Sequence, residues 1–386
     1  MHEFIAHAGV ALAAFAAVYS TCAALLLRRW RETAATPGER PAVSILKPLC
    51  GAERHLLDCL RSFARQDYAP LQIVFGVREA SDPAIDVVRQ LQREFPSLDA
   101  ELVIDPGVHG ENLKASNLIN MLPHARHGVL LISDSDVRAG PGYLDSVVQA
   151  LAPPQVGSVT CLYRGRAGPG LWSRVAAMFI NDWYFPAVLV SQALGDTSFA
   201  SGVTIALRRH TLERLGGLQV IADHLADDWL LCDHVRRQGL KTVLARCVVQ
   251  TDVAEDGFAA HASRELRWMR TIRTVAPLGY TFMGITVSLP LALIGLAMAG
   301  GGAGSAGPAL GLTLALTILT LANRVVIHMD QRRRMQAGLG YDLMLIPLRD
   351  GLLLAVWVAG FLGRGVTWRG KRYRVRSGGA LSPLNG

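Results

Sequence analysis

Hydrophobic residues fall along this chain in distinct patterns, and each pattern predicts a different kind of structure. From Phe4 to Leu27 the run FIAHAGVALAAFAAVYSTCAALLL has a single His as its most polar interruption. That exceeds the roughly 20 apolar residues a helix needs to cross a bilayer. From Pro41 to about Thr251, short β-rich runs alternate with amphipathic stretches, the rhythm of an α/β domain with a mainly parallel sheet. Ala42 to Leu46, Gln72 to Val77, Glu101 to Ile104 and Val129 to Ser133 read as buried strands, with helical spacing over Arg54 to Arg65 and Pro83 to Glu94. After Trp268, Tyr280 to Met298 and Leu310 to Ile327 are again long enough to span, separated by a Gly/Ala-rich turn.

These patterns divide the chain into an N-terminal membrane anchor (1–31), a globular domain (41–275) and a C-terminal membrane region (276–386) with two to three segments and a basic tail. Arg28, Arg29 and Arg31 follow the first apolar run, and Arg332 to Arg334 follow the third. The positive-inside tendency therefore puts the globular domain on the cytoplasmic side and the amino terminus outside. A cleaved secretory signal is the rival for the first run, but it lacks a basic leading region and its apolar core is longer than usual. Leu343 to Leu362 contains Pro347, Arg349 and Asp350. A full crossing there would leave the tail Arg369 to Arg376 outside, so a re-entrant or interfacial segment is the preferred reading. The other is a full span with Arg349 and Asp350 as a buried structural pair.

Composition supports a membrane protein: 51% of the 386 residues are hydrophobic and only 18% charged, too apolar for an ordinary soluble chain. The net charge of +8 would suit nucleic acid, but much of the basic excess sits in short runs beside apolar segments. That placement fits anionic lipid headgroups, and no nucleic-acid partner is expected. The six cysteines, Cys22, Cys50, Cys59, Cys161, Cys232 and Cys247, form no C-x-x-C pair, so reduced thiols are expected rather than a disulfide framework or zinc site.

The chemistry concentrates in acidic clusters. Asp134-Ser135-Asp136 follows the apolar run Val129 to Ser133, so both carboxylates stand at a strand end and, in an extended chain, project to one side. Two such oxygen donors suit Mg²⁺ or Mn²⁺ with positions left for phosphate oxygens; the plainer alternative is a solvated acidic turn. Asp227-Asp228 opens an amphipathic stretch, where a helix amino terminus favours the charged carboxylate that a general base needs. An N-cap is the commoner local use. Arg264, Arg267 and Trp268 form an R-x-x-R-W group: guanidinium forks bind phosphate and an indole packs on a sugar or an apolar wall. A basic helix on the lipid surface is compatible with that role. Gly202, in Ala200-Ser-Gly-Val-Thr, marks either a close backbone approach or a plain turn. His109 and His224 are assigned no ligand role.

With these residues in order, the chain resembles the ceramide glucosyltransferase family of membrane-bound, inverting glycosyltransferases on the A-type nucleotide-diphospho-sugar fold. The likeness runs through Ile45-Leu-Lys-Pro-Leu, Asp82-Pro-Ala-Ile-Asp-Val, Lys114 with Asn117-Leu118, Asp134-Ser-Asp136, Asp227-Asp228, Arg264 to Trp268, and Trp368-Arg-Gly-Lys-Arg-Tyr-Arg-Val. Asn117-Leu-Ile-Asn-Met-Leu-Pro, Thr160-Cys-Leu-Tyr-Arg-Gly and His224-Leu-Ala-Asp-Asp resemble its bacterial, hopanoid-associated branch. The resemblance implies Asp82 near a uridine, Asp134 and Asp136 on the metal and diphosphate, and Asp228 as catalytic base; Lys114 is a candidate diphosphate contact, with a solvated lysine as the alternative. Arg264, Arg267 and Trp268 would lie beside the diphosphate and acceptor. It further implies a UDP-sugar donor, a membrane lipid acceptor, and a bacterial inner-membrane location. N-acetylglucosamine transfer to a hopanoid polyol is the reading it favours, with glucose transfer to ceramide as the alternative. Where many members have Glu this chain has Asp227, and where the eukaryotic enzymes have D-S-G it has Asp134-Ser-Asp136. A processive polysaccharide synthase fits less well, because Arg264 replaces the Gln of its Q-x-x-R-W pattern and the candidate spans are few. A non-catalytic lipid-binding protein fits least, with every acidic position filled.

Overall fold

A computed structural model describes residues 2–33, 38–301, 307–338, 340–368 and 371–384, which leaves Arg369 of the basic tail outside the described residues. The chain forms two compact units, each discontinuous in sequence. One comprises residues 31–166, 196–252 and 371–386; the other comprises 1–30, 167–195 and 253–370. The sequence pattern divides the chain into three consecutive parts, 1–31, 41–275 and 276–386. In the structure, residues 167–195 instead join the apolar termini, and the basic tail joins the α/β unit.

The α/β unit is built on one eight-stranded sheet. Its strands are β1 (Val43–Pro48), β2 (Leu71–Val77), β3 (Asp99–Ile104), β4 (Val129–Ile132), β5 (Val137–Arg138), β6 (Val156–Ala167), β7 (Ile205–Arg208) and β8 (Lys241–Val253), in the order β3-β2-β1-β4-β7-β6-β8-β5. The first four strands pair in parallel. Beyond β4 the pairings of β4 with β7, β7 with β6 and β8 with β5 are antiparallel. The mainly parallel sheet expected from the sequence is thus a mixed one, with these antiparallel pairings beyond its parallel first half. Alternation splits each parallel strand between two cores. Val43, Ile45, Ile73 and Phe75 face one cluster with Leu60, Phe63, Val88 and Val147. Leu46, Val74, Leu130 and Ile132 face the other with Leu118, Met121, Leu218 and Leu231. Covered on both faces, β1, β2 and β4 are predominantly apolar, which is why the sequence exposes them.

Among the described residues of the second unit, three helices are long and apolar enough to cross a membrane, His2–Arg29, Pro308–Arg334 and Asp342–Gly360. Pro277–Thr286 and Ser288–Gly300 qualify only as a pair, bent by 65°. The Tyr280 to Met298 stretch, which reads as one straight span, is therefore broken. Small residues let the first helix approach Ser288–Gly300 closely: a Cβ on Gly9 would meet the Gly295 carbonyl oxygen at 2.5 Å, and a Cβ on Gly295 the Gly9 oxygen at 2.5 Å. Polar groups in this unit find one another. Asn323 Nδ2 donates to Ser20 Oγ at 3.1 Å and Thr21 Oγ1 at 2.8 Å, and His328 Nδ1 meets Asp182 Oδ2 at 2.7 Å. Arg349 and Asp350 are not each other's partners: Arg324 grips Asp350 at 2.8 and 2.7 Å, and Arg349 reaches Glu265.

Candidate active site

Lys47 stands at the centre of the α/β unit's chemistry although it lies inside an apolar strand. Alternation along β1 puts it on the same face as Ile45, fully buried, with its Nζ 3.8 Å from the centroid of the Phe63 ring. The ammonium donates to Ser133 Oγ at 3.2 Å and to the Asp134 carbonyl at 2.6 Å. It thereby holds the chain as it leaves β4. Burial pushes its pKa down to about 8.

That chain is a turn, not an extended strand end. β4 stops at Ile132, and the Val137 N–H closes back on the Asp134 carbonyl at 3.4 Å. Asp134 and Asp136 consequently hold different partners. Asp134 Oδ1 pairs with Lys114 Nζ at 2.6 Å, while Asp136 Oδ2 accepts from Thr251 Oγ1 at 2.5 Å. Burial, followed by the charge of Asp134, pushes the Asp136 carboxyl up to about 6. A carboxylate strained by its neighbour's charge, with hard oxygen donors on both, is suited to a divalent cation. Among the described residues no group of three or more His, Cys, Asp or Glu side chains gathers for a metal. The two aspartates would therefore supply only part of a shell.

Lys114 gathers the second acidic cluster. Its helix, Leu113–Met121, is capped by Asn112, whose Oδ1 accepts from the N–H groups of Lys114 and Ala115 at 2.9 and 3.0 Å. From the first turn Lys114 reaches both Asp134 and Asp227 Oδ2, the latter at 3.1 Å. Burial works against its charge, yet Asp134 and Asp227 together raise its pKa above the usual lysine range.

Asp227 and Asp228 open the helix Asp227–Arg237. Asp228 Oδ1 accepts from the Trp229 N–H at 2.7 Å and Oδ2 from the Gly202 N–H at 2.9 Å. Burial and the adjacent Asp227 push its carboxyl up to about 6. The Gly202 interaction resolves what that glycine does: its backbone holds Asp228, and a Cβ there would lie 2.9 Å from Asp134 Oδ2 and 3.3 Å from Lys114 Nζ. Asp134, Lys114, Asp227, Asp228 and Gly202 thus form one connected group.

Asp82 has structural work of its own. Its carboxylate accepts from the Gly51 N–H at 3.0 Å and from the Ala84 N–H at 2.8 Å, where the helix Ala84–Glu94 begins. His109 Nε2 meets Asn120 Oδ1 at 2.6 Å, and burial lowers the pKa of His224.

Arg264, Arg267 and Trp268 belong to the other unit, on one face of the helix Phe258–Val275. Arg264 pairs with Glu255 at 2.6 Å and lies 5.1 Å over the Trp268 ring, which packs 5.4 Å from Phe179. Between the two arginines lies Glu265, to which the sequence pattern assigns no role; it is fully buried and holds Arg349 through two bonds of 2.6 and 2.9 Å. A charged residue among apolar neighbours is the available signal, on a helix for Glu265 and on strand β1 for Lys47.

Glycosyl transferase family 21 matches residues 8–381 of the chain. Ceramide glucosyltransferase 1 of Caenorhabditis elegans is 26% identical over 231 residues, 60% of this chain and 49% of that protein. The ceramide glucosyltransferase of Komagataella phaffii is 32% identical over 125 residues, 31% of this chain and 25% of its own. The chain spans about half the length of the longer-matching relatives. Among solved structures, a mannosyltransferase from Pyrobaculum calidifontis in complex with GDP-Man and Mn²⁺ superposes with a TM-score of 0.53 at 21% identity, covering 94% of this chain and 99% of that one. At that identity the likeness establishes the fold.

Proposed function

The chain belongs to glycosyl transferase family 21, and from that premise we propose that it transfers a hexose from UDP to a hydroxyl of a membrane lipid, with inversion at the anomeric carbon. The observation that carries this reading is Asp228, held by the Gly202 N–H beside Asp227, Lys114 and Asp134. Asp228 takes the proton from the acceptor hydroxyl, the oxygen attacks the anomeric carbon, and UDP departs with the bonding electrons. Lys114 provides positive charge beside the diphosphate, Lys47 fixes the turn that presents Asp134, and Asp82 is assigned to the uridine side. Asp134 and Asp136 would hold Mg²⁺ or Mn²⁺, which when bound supplies further positive charge to the leaving group. Arg264, Arg267 and Trp268 are assigned to the diphosphate and acceptor.

Three helices long and apolar enough to span support a lipid acceptor, because such a substrate presents its head group at the bilayer surface. We place the α/β unit on the cytoplasmic face of a bacterial inner membrane, following the arginine runs. The names of the relatives favour ceramide and glucose over the hopanoid and N-acetylglucosamine pairing drawn from the sequence, for which the comparisons offer no support. The test is to incubate membranes containing the protein with labelled UDP-glucose or UDP-N-acetylglucosamine, divalent cation, and ceramide or a hopanoid polyol, then resolve the lipids. Label passing from UDP-glucose to ceramide is expected. Label reaching no lipid from either donor would sink the function.

A further inference from the structure

We propose that the C-terminal hairpin binds an anionic lipid surface through an arginine face while its backbone holds the loop that leads into Asp227 and Asp228. Lys371–Val375 pairs antiparallel with Leu381–Pro383. Alternation along the first strand turns Tyr373 and Val375 inward, where both are buried. Arg372 and Arg374 face outward, and exposed Arg376 follows them. Arg376 Nη2 donates to Ser382 Oγ at 3.1 Å. Residues 371–384 contain no Asp or Glu, so the face carries positive charge without internal compensation.

The hairpin's backbone reaches the catalytic loop directly. The Leu225 N–H donates to the Gly379 carbonyl at 3.0 Å and the Leu381 N–H to the Asp223 carbonyl at 2.8 Å, with His224 bridged to Ala380. The same loop also supports Lys114. The Asn112 N–H donates to the Ala222 carbonyl at 2.8 Å and its Nδ2 to the His224 carbonyl at 2.7 Å, while the Glu111 N–H donates to Asp223 Oδ1 at 3.0 Å. Residues 222–225 therefore tie the hairpin to the elements carrying both Lys114 and Asp228.

Lipid headgroups are an anionic partner within the reach of the chain that precedes the hairpin. Lys371 follows Gly360, the end of a helix long and apolar enough to span, by eleven residues. That stretch of chain reaches at most about 40 Å. Arginines near an anionic leaflet are attracted to it within a Debye length. Docking the outward face would restrain the hairpin, and with it the loop on its other side.

The effect on turnover rests on the role proposed for Asp228; the hold on the loop does not. The experiment places the full chain in nanodiscs of phosphatidylcholine alone, or with about a third phosphatidylglycerol, and follows amide hydrogen exchange over 222–230 and 379–383. Anionic lipid should slow exchange several-fold in the unmodified protein, and the slowing should vanish in the Arg372→Gln, Arg374→Gln, Arg376→Gln variant and in high salt. Equal exchange in the two lipids, or undiminished slowing in the variant, would overturn the proposal. Sugar transfer measured on the same discs separates the two claims: an exchange response without transfer would remove the enzymatic reading and leave the hairpin's role standing.

Discussion

Glu265 and Arg349 face each other as a bidentate ion pair with both side chains wholly excluded from solvent. The pair fastens the helix carrying Arg264, Arg267 and Trp268 to the helix Ile346–Gly360. Breaking one half of such a pair leaves an uncompensated buried charge and costs about 3–5 kcal/mol, whereas replacing both halves with apolar residues of similar size is often neutral. Glu265→Ala should therefore lower the melting temperature of the detergent-solubilised protein sharply. Glu265→Met with Arg349→Met should recover most of the loss. A single variant that melts like the parent would show that the pair adds nothing to stability.

That pair also shows where sequence reading stops. The parallel half of the sheet is legible because Val129 to Ile132, buried on both faces, leaves an unbroken apolar run and Val43 to Leu46 one broken only by Ser44. The antiparallel half is not: β8 alternates irregularly between buried and half-exposed positions, and its pairing is set by strands remote in sequence. The aspartates are legible as short acidic words. Their partners are not, because Arg349 lies 84 residues from Glu265 and Asp134 is 87 residues from the Lys47 that anchors its carbonyl. Extended geometry predicts Asp134 and Asp136 side by side. The turn after β4 gives one to Lys114 and the other to Thr251.

For Asp228, the pH dependence follows from its environment. Burial and the charge of Asp227 push its carboxyl up to about 6, and a general base works deprotonated. Transfer should therefore fall as pH drops through about 6 and level off above it. In Asp228→Asn the rate should drop by roughly 10²- to 10⁴-fold and lose this acid limb, with UDP-sugar binding retained. A pH–rate profile of both proteins at fixed ionic strength checks the assignment, and a limb that persists in the variant would point to another group.

Lys114 is the only cation that an ion pair joins to Asp134 or Asp227 among the described residues. Lys114→Met would leave those carboxylates facing an incoming diphosphate without it. Loss of a hydrogen bond to a charged group is worth about 1.5–3 kcal/mol, so UDP affinity should fall by roughly ten- to a hundredfold. Calorimetric titration with UDP measures this directly, and unchanged affinity would remove Lys114 from the donor site.

Gly202 allows the sharpest geometric test, because two constraints meet at one position. Its N–H fixes Asp228 Oδ2 at 2.9 Å, and the space a Cβ would fill lies 2.9 Å from Asp134 Oδ2. In Gly202→Ala either the backbone retreats, loosening Asp228, or Asp134 moves, loosening its hold on Lys114. Misplacing a reacting group by about 1 Å can cost on the order of a hundredfold in rate. The strain is local, so melting should change far less than in Glu265→Ala. A variant with little transfer and a near-parental melting temperature is expected; full activity would mean that the contacts among Gly202, Asp134 and Asp228 do not set the reacting geometry.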